Sequence, residues 1–147
     1  MDKKCIMIVD GTLPLGLIAN TTAVLAATLA KLDRTIIGED VFDLENNKHC
    51  GIVTIPIPIL KGDQELIRNL LEEANNYNDE ISVIDFSDLA QSCRSYPEYI
   101  SKMKATSEAR LNYSGICLYG NKKRINKLTG KQIGVYSLFR KSFLLCM

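Results

Sequence analysis

Residues 4–32 carry the feature that most restricts the fold of this chain: a β-prone run, a tight turn and a long helix rich in small residues. Lys4-Cys5-Ile6-Met7-Ile8-Val9-Asp10 lacks clean polar alternation, which is the pattern of a strand covered by helices on both faces. Gly11-Thr12-Leu13-Pro14-Leu15-Gly16 forms the turn. Beyond it Ile18, Leu25, Leu29 and Leu32 fall on one helical stripe, and alanines at 19, 23, 26, 27 and 30 permit close packing on a sheet. A strand buried on both sides and a helix lying on it require a layered α/β domain.

The rest of the chain continues the alternation. Residues 52–60 read as a strand with Val53, Ile55, Ile57 and Ile59 on one face. Pro56 and Pro58 remove donors two residues apart, which predicts an edge strand with its unpaired side outward. Asp63 caps a helix whose apolar face is Leu66, Ile67, Leu70, Leu71 and Ala74. Residues 81–86 form the next strand, with Ser87 or Asp88 as a helix cap, and Pro97 suits the first turn of the helix through Tyr99, Ile100 and Met103. Residues 111–119 supply a last strand, Asn121 caps a short helix through Leu128, and Gly130 is its left-handed stop. The expected architecture is α/β, a small mixed β-sheet of about four strands flanked by helices, in a single domain over residues 1–147.

With 46% hydrophobic and 24% charged residues, the composition is that of a globular protein and excludes a disordered chain. Asp10 ends the first apolar run too early for a signal peptide. Asn20, Thr21, Thr22 and Thr28 interrupt residues 13–30, which therefore read as a buried helix and not a membrane span. Cys5, Cys50, Cys93, Cys117 and Cys146 are scattered without close pairs, which fits a reducing cytoplasm. His49 has only Cys50 beside it, so neither a metal site nor a cofactor is expected, and the pair fails as a catalytic dyad if it lies on a strand. Residues 1–110 hold 11 basic and 17 acidic groups, a balance of −6, whereas 111–147 hold seven basic groups and no acid. Such asymmetry points to an anionic partner, a small ligand or RNA, or to a basic face that pairs with acids from the first part of the fold.

In open α/β sheets, ligands collect at strand carboxyl ends, and three here are polar: residues 10–16, 85–91 and 119–124. The first leads into a helix N-terminus, whose free N–H groups attract anions. Candidate ligand-binding residues are Gly11, Gly16, Asn20, Thr21, Tyr119, Lys122 and Lys123. Asp85, a carboxylate closing an apolar strand, is a candidate general base, and Asn20 could hold a substrate carbonyl. Asp10 is placed like Asp85, and either carboxylate could instead accept backbone hydrogen bonds in its turn.

The opening segment to Asp10, with Leu13-Pro14-Leu15-Gly16-Leu17-Ile18-Ala19-Asn20 and Ala23-Val24-Leu25-Ala26, resembles the bacterial family called domain of unknown function 2000. His49-Cys50-Gly51-Ile52 with Ile55-Pro56-Ile57-Pro58, Ile84-Asp85-Phe86-Ser87, Tyr96-Pro97-Glu98-Tyr99 and Gly115-Ile116-Cys117-Leu118-Tyr119-Gly120 extend the resemblance over residues 3–133 and leave a tail, 134–147. The family is similar in fold to type 2 peptidyl-tRNA hydrolases, which implies a site beside the first helix, with Asp85 near the hydrolases' site aspartate. Those enzymes open that helix with a Gly-Lys-Gly-Lys run. Here it reads Gly16-Leu17-Ile18-Ala19-Asn20-Thr21, without the catalytic lysines.

Three functions follow from these readings. The first is a domain that binds an anionic or nucleotide-like ligand at the first strand-loop-helix. The second is a hydrolase with a changed apparatus built on Asp85 and Asn20. The third is a structural module that forms a homodimer through the strand at 52–60, although its prolines oppose pairing.

Overall fold

The structure, a computed structural model, describes residues 2–130; the expected tail, 134–147, lies outside them. In chain order the elements are β1 (Lys3–Asp10), α1 (Leu15–Leu32), β2 (Val41–Phe42), β3 (Lys48–His49), β4 (Ile59–Gly62), α2 (Gln64–Asn75), β5 (Ile81–Ser87), α3 (Asp88–Gln91), α4 (Tyr96–Lys104), β6 (Tyr113–Asn121) and α5 (Lys122–Gly130). The fold is α/β, with a four-stranded mixed sheet in the order β4-β1-β6-β5 and a separate hairpin of β2 and β3. β1 runs parallel to β4 and antiparallel to β6, and β5 is antiparallel to β6. The carboxyl ends of β1, β4 and β5 therefore share one edge of the sheet, and the carboxyl end of β6 lies at the other.

Strand alternation sends side chains into two cores. Cys5, Met7 and Cys117 lie beneath Leu25 and Leu29 of α1. Ile6, Ile8, Ile116 and Leu118 lie beneath Ile67 and Leu70 of α2 and Ile125 of α5. Each of these fully buried aliphatic side chains contributes roughly 1.5–3 kcal/mol. β1 is thus covered on both faces, as its unbroken apolar run predicts. Asp63 accepts from Leu66 N at 2.8 Å and caps α2, and the expected face of Ile67, Leu70, Leu71 and Ala74 is buried.

Four expectations change. α1 is not a buried helix: Thr21, Leu25 and Leu29 are its buried residues, and Leu15 and Leu32 are 80% and 52% exposed. A helix lying on a sheet buries one narrow stripe, and five alanines and several exposed apolar side chains make up much of the remainder here. By length and mean hydropathy, 1.5 over 18 residues, α1 is the one helix among the described residues that could cross a bilayer.

The strand expected over 52–60 begins only at Ile59. Met7 N donates to Pro58 O at 2.9 Å, so Pro58 turns its backbone toward β1 and not outward. With no N–H at Pro58 or Pro56 to donate back to β1, the ladder stops, and the chain before Ile59 peels away. Val53, Ile55 and Ile57 still pack on the α1 core, as their common face predicts. Gly130 continues α5 and does not stop it. Residues 33–49, polar in sequence, contain the β2–β3 hairpin, closed by Asn46 at φ 67° and by Asp43 accepting from Asn47 N at 2.8 Å.

Candidate functional site

At the carboxyl edge of β1, Asp10 is buried and accepts from Thr12 N at 2.9 Å, Thr12 Oγ1 at 2.7 Å and Gln64 Nε2 at 3.0 Å. Gln64 Nε2 also donates to Tyr113 O at 2.7 Å, which ties the turn to β6. Burial alone would raise the Asp10 pKa, but the hydrogen bonds from Thr12 and Gln64 outweigh it and hold the carboxyl below its ordinary range. Asp10 holds its turn, the second of the two roles open to it.

The ligand-binding residues expected beside it divide. A Cβ on Gly11 would collide with the stem of Lys61, so this glycine serves packing. Gly16 has open space around it, and Asn20 is exposed on α1. Thr21 is fully buried, and its hydroxyl donates to Leu17 O at 2.8 Å. Its methyl leaves no room for a Cβ on Gly115, where the separation would be 2.8 Å. Thr21 seats α1 on β6 and presents nothing to a ligand, because its position falls on the same narrow stripe as Leu25.

Asp85 pairs with Ile116, and Ile116 pairs with Ile8, so all three project toward α2. Asn20 belongs to α1, across the sheet. The expected partnership of Asp85 and Asn20 is therefore absent, because strand parity places Ile84 and Phe86 on the α1 side instead. Burial first, and the charge of Glu108 second, push the Asp85 carboxyl up, although solvent still reaches the side chain. Beside it, Tyr113 is raised to about 12 by its own burial and by the charges of Asp85 and Glu108.

Tyr119 and Lys122 occupy the opposite edge, roughly 20 Å away along the strands at about 3.3 Å per residue. Sequence order grouped them with the first loop because both follow a strand, but β6 runs against β1. Tyr119 is buried, and its hydroxyl donates to Asp33 Oδ2 at 2.7 Å. Lys3 Nζ donates to the same oxygen at 3.0 Å and lies 5.2 Å from the Tyr119 ring centre. Hydrogen bonds from Thr35, Tyr119 and Lys3 hold the Asp33 carboxyl well below the usual range. Tyr119 is thus committed to the core rim and offers no stacking surface.

Where the prolines end the β1–β4 ladder, a notch of about 430 Å³ opens between the amino half of β1, Pro56 and Pro58, and the start of α5. Lys3, Lys4, Lys122 and Asn126 line it, together with Asp2 and Cys5. Backbone groups alternate sides along a strand, so the Cys5 amide points the same way as that of Met7, into the notch. Asp2 Oδ2 pairs with Lys122 Nζ at 2.9 Å, and Asp33 with Lys3 at 3.0 Å. Lys4 Nζ donates to the neutral Asn126 Oδ1 at 2.6 Å and has no carboxylate partner among the described residues. Burial, then the nearby charge of Lys122, lower its pKa. Lys123 is exposed and stands outside the notch.

Lys3 and Lys4 escaped the sequence reading, where a basic doublet before a first strand is unremarkable. The available signal was that doublet together with Pro56 and Pro58, which a fold must bring beside it for the notch to exist. The basic C-terminal third is partly neutralised from the first part of the fold, as one reading expected: Lys122 by Asp2, and Arg124 by Glu80 at 2.8 Å. Lys131, Arg140 and Lys141 lie outside the described residues. No cluster of three or more metal-ligating side chains occurs among the described residues.

No curated protein sequence matches the chain. A solved structure of a protein of unknown function from Agrobacterium tumefaciens is similar in fold, with a TM-score of 0.80 at 21% identity, over 88% of this chain and 94% of that one. A family model described as "Protein of unknown function (DUF2000)" matches residues 3–133. The chain, with its proline-bounded notch at the start of β1, belongs to the DUF2000 family.

Proposed function

We propose that this chain is a single cytoplasmic domain that binds a small anion, a carboxylate or phosphate, in the notch at the amino end of β1. One observation carries the reading: of the three lysines that line the notch, Lys3 and Lys122 are paired with carboxylates, and Lys4, on the α5 side of the sheet, is not. An ammonium that is partly buried without a counter-charge favours an anion at the site, and the Cys5 amide adds a donor. The anionic ligand expected from the sequence is kept, but its site moves from the first loop to the other edge of the sheet. Kinship in fold with type 2 peptidyl-tRNA hydrolases is part of the proposal, supported by a mixed sheet with a long helix after β1. A bacterial, reducing setting is supported by the source of the structural neighbour and by the four cysteines among the described residues, all free. Hydrolysis through Asp85 and Asn20 has no support, since the two lie on opposite faces.

A thermal-shift and calorimetric screen with phosphate, citrate, nucleotides and a short RNA tests the reading. At least one of these raises Tm, Lys4→Ala weakens its binding by about tenfold or more, and Asn20→Ala leaves it unchanged. No shift at millimolar ligand, or equal binding by Lys4→Ala, overturns it.

A further inference from the structure

Lys4 combines features that an anion site alone does not require. Lys4 lines a cavity, its Nζ donates to an amide oxygen at 2.6 Å, and the one carboxylate among the lining residues, that of Asp2, is engaged by Lys122. A lysine that is desolvated and set beside another cation gives up its proton more readily and becomes a nucleophile, and here burial and Lys122 both act in that direction. Asn126 Oδ1, by accepting one N–H, fixes the direction of the remaining lone pair.

We propose that Lys4 forms an imine with an aldehyde- or keto-bearing anion held in the notch. This rests on the anion-binding reading and specifies its ligand class. The lone pair of the uncharged Nζ attacks the carbonyl carbon, and the carbonyl oxygen leaves as water with the two hydrogens of Nζ. A C=N bond replaces C=O, with no net oxidation or reduction. Lys122, whose charge lies close to Lys4, holds the ligand's anionic group and keeps the carbonyl near Lys4.

The test is reductive trapping on the full chain. Pyruvate, glyoxylate or pyridoxal phosphate is added, sodium borohydride converts any imine to a secondary amine, and peptide mass mapping locates it. Lys4 is labelled at least about tenfold faster than each of the eleven other lysines. Lys4→Arg abolishes the fast labelling, whereas Lys31→Arg, exposed on α1 and outside the notch, leaves it unchanged. Uniform labelling of lysines, or fast labelling that survives in Lys4→Arg, overturns the imine. Calorimetric binding of phosphate without Lys4 labelling overturns the imine alone. Absence of both overturns the anion site as well.

Discussion

Asp10 shows how one carboxylate fixes a turn. It is 6% exposed and satisfied by three donors, so replacing it removes hydrogen bonds that water cannot restore. Asp10→Asn is expected to cost about 1–2 kcal/mol at pH 7, measured by urea unfolding. The folded pKa of Asp10 is depressed, so its contribution is present above the unfolded value of about 3.9 and disappears as pH falls through the folded value. The stability gap between wild type and Asp10→Asn should therefore shrink as pH falls below about 4, and a gap that stays constant or grows on acidification would refute this role. The carboxylate was visible in the sequence as a strand-ending acid. Which of its two roles it takes was not, because Gln64 arrives from 54 residues away.

At the scale of elements, the contact of α1 with β6 depends on a glycine. A Cβ at Gly115 would stand 2.8 Å from Thr21 Cγ2 and 3.0 Å from Ile8 O, closer than real contacts allow. The backbone oxygen cannot yield, so α1 must lift. Gly115→Ala is expected to destabilise by about 1–3 kcal/mol, and pairing it with Thr21→Ser should recover part of the loss in the same denaturation assay. The periodicities of β1, α1 and α2 were legible because burial alone dictates them. The length of β4 was not, since Pro56 and Pro58 are compatible with an edge strand facing either way. Only the bond from Met7 N to Pro58 O decides that they face β1. Asp85 illustrates the same limit: its place at a strand end could be read, but its face depends on pairing with Ile116.

For the molecule as a whole, formal net charge is only +1, so attraction of an anion is local to the notch and owes little to a global field. Raising ionic strength from about 0.02 to 0.5 M shortens the screening length severalfold, and anion affinity should fall while the urea midpoint stays nearly constant. Parallel losses in both would show that the lysines act on stability and not on a ligand. The candidate site was less legible than the fold because its parts come from residues 2–5, 55–58 and 122–126, which only the sheet topology unites.

That topology also sets a schedule for the chain as it is made. β6 is the last of the described strands in sequence, yet it lies between β1 and β5. Until residues 113–121 have left the ribosome, β1 and β5 have no strand to join them, and each exposes an apolar edge that other chains can pair with. Closure of the sheet therefore waits until β6 has been made. The nascent chain must keep its first strand, with the apolar run from Cys5 to Val9, away from other chains until β6 arrives.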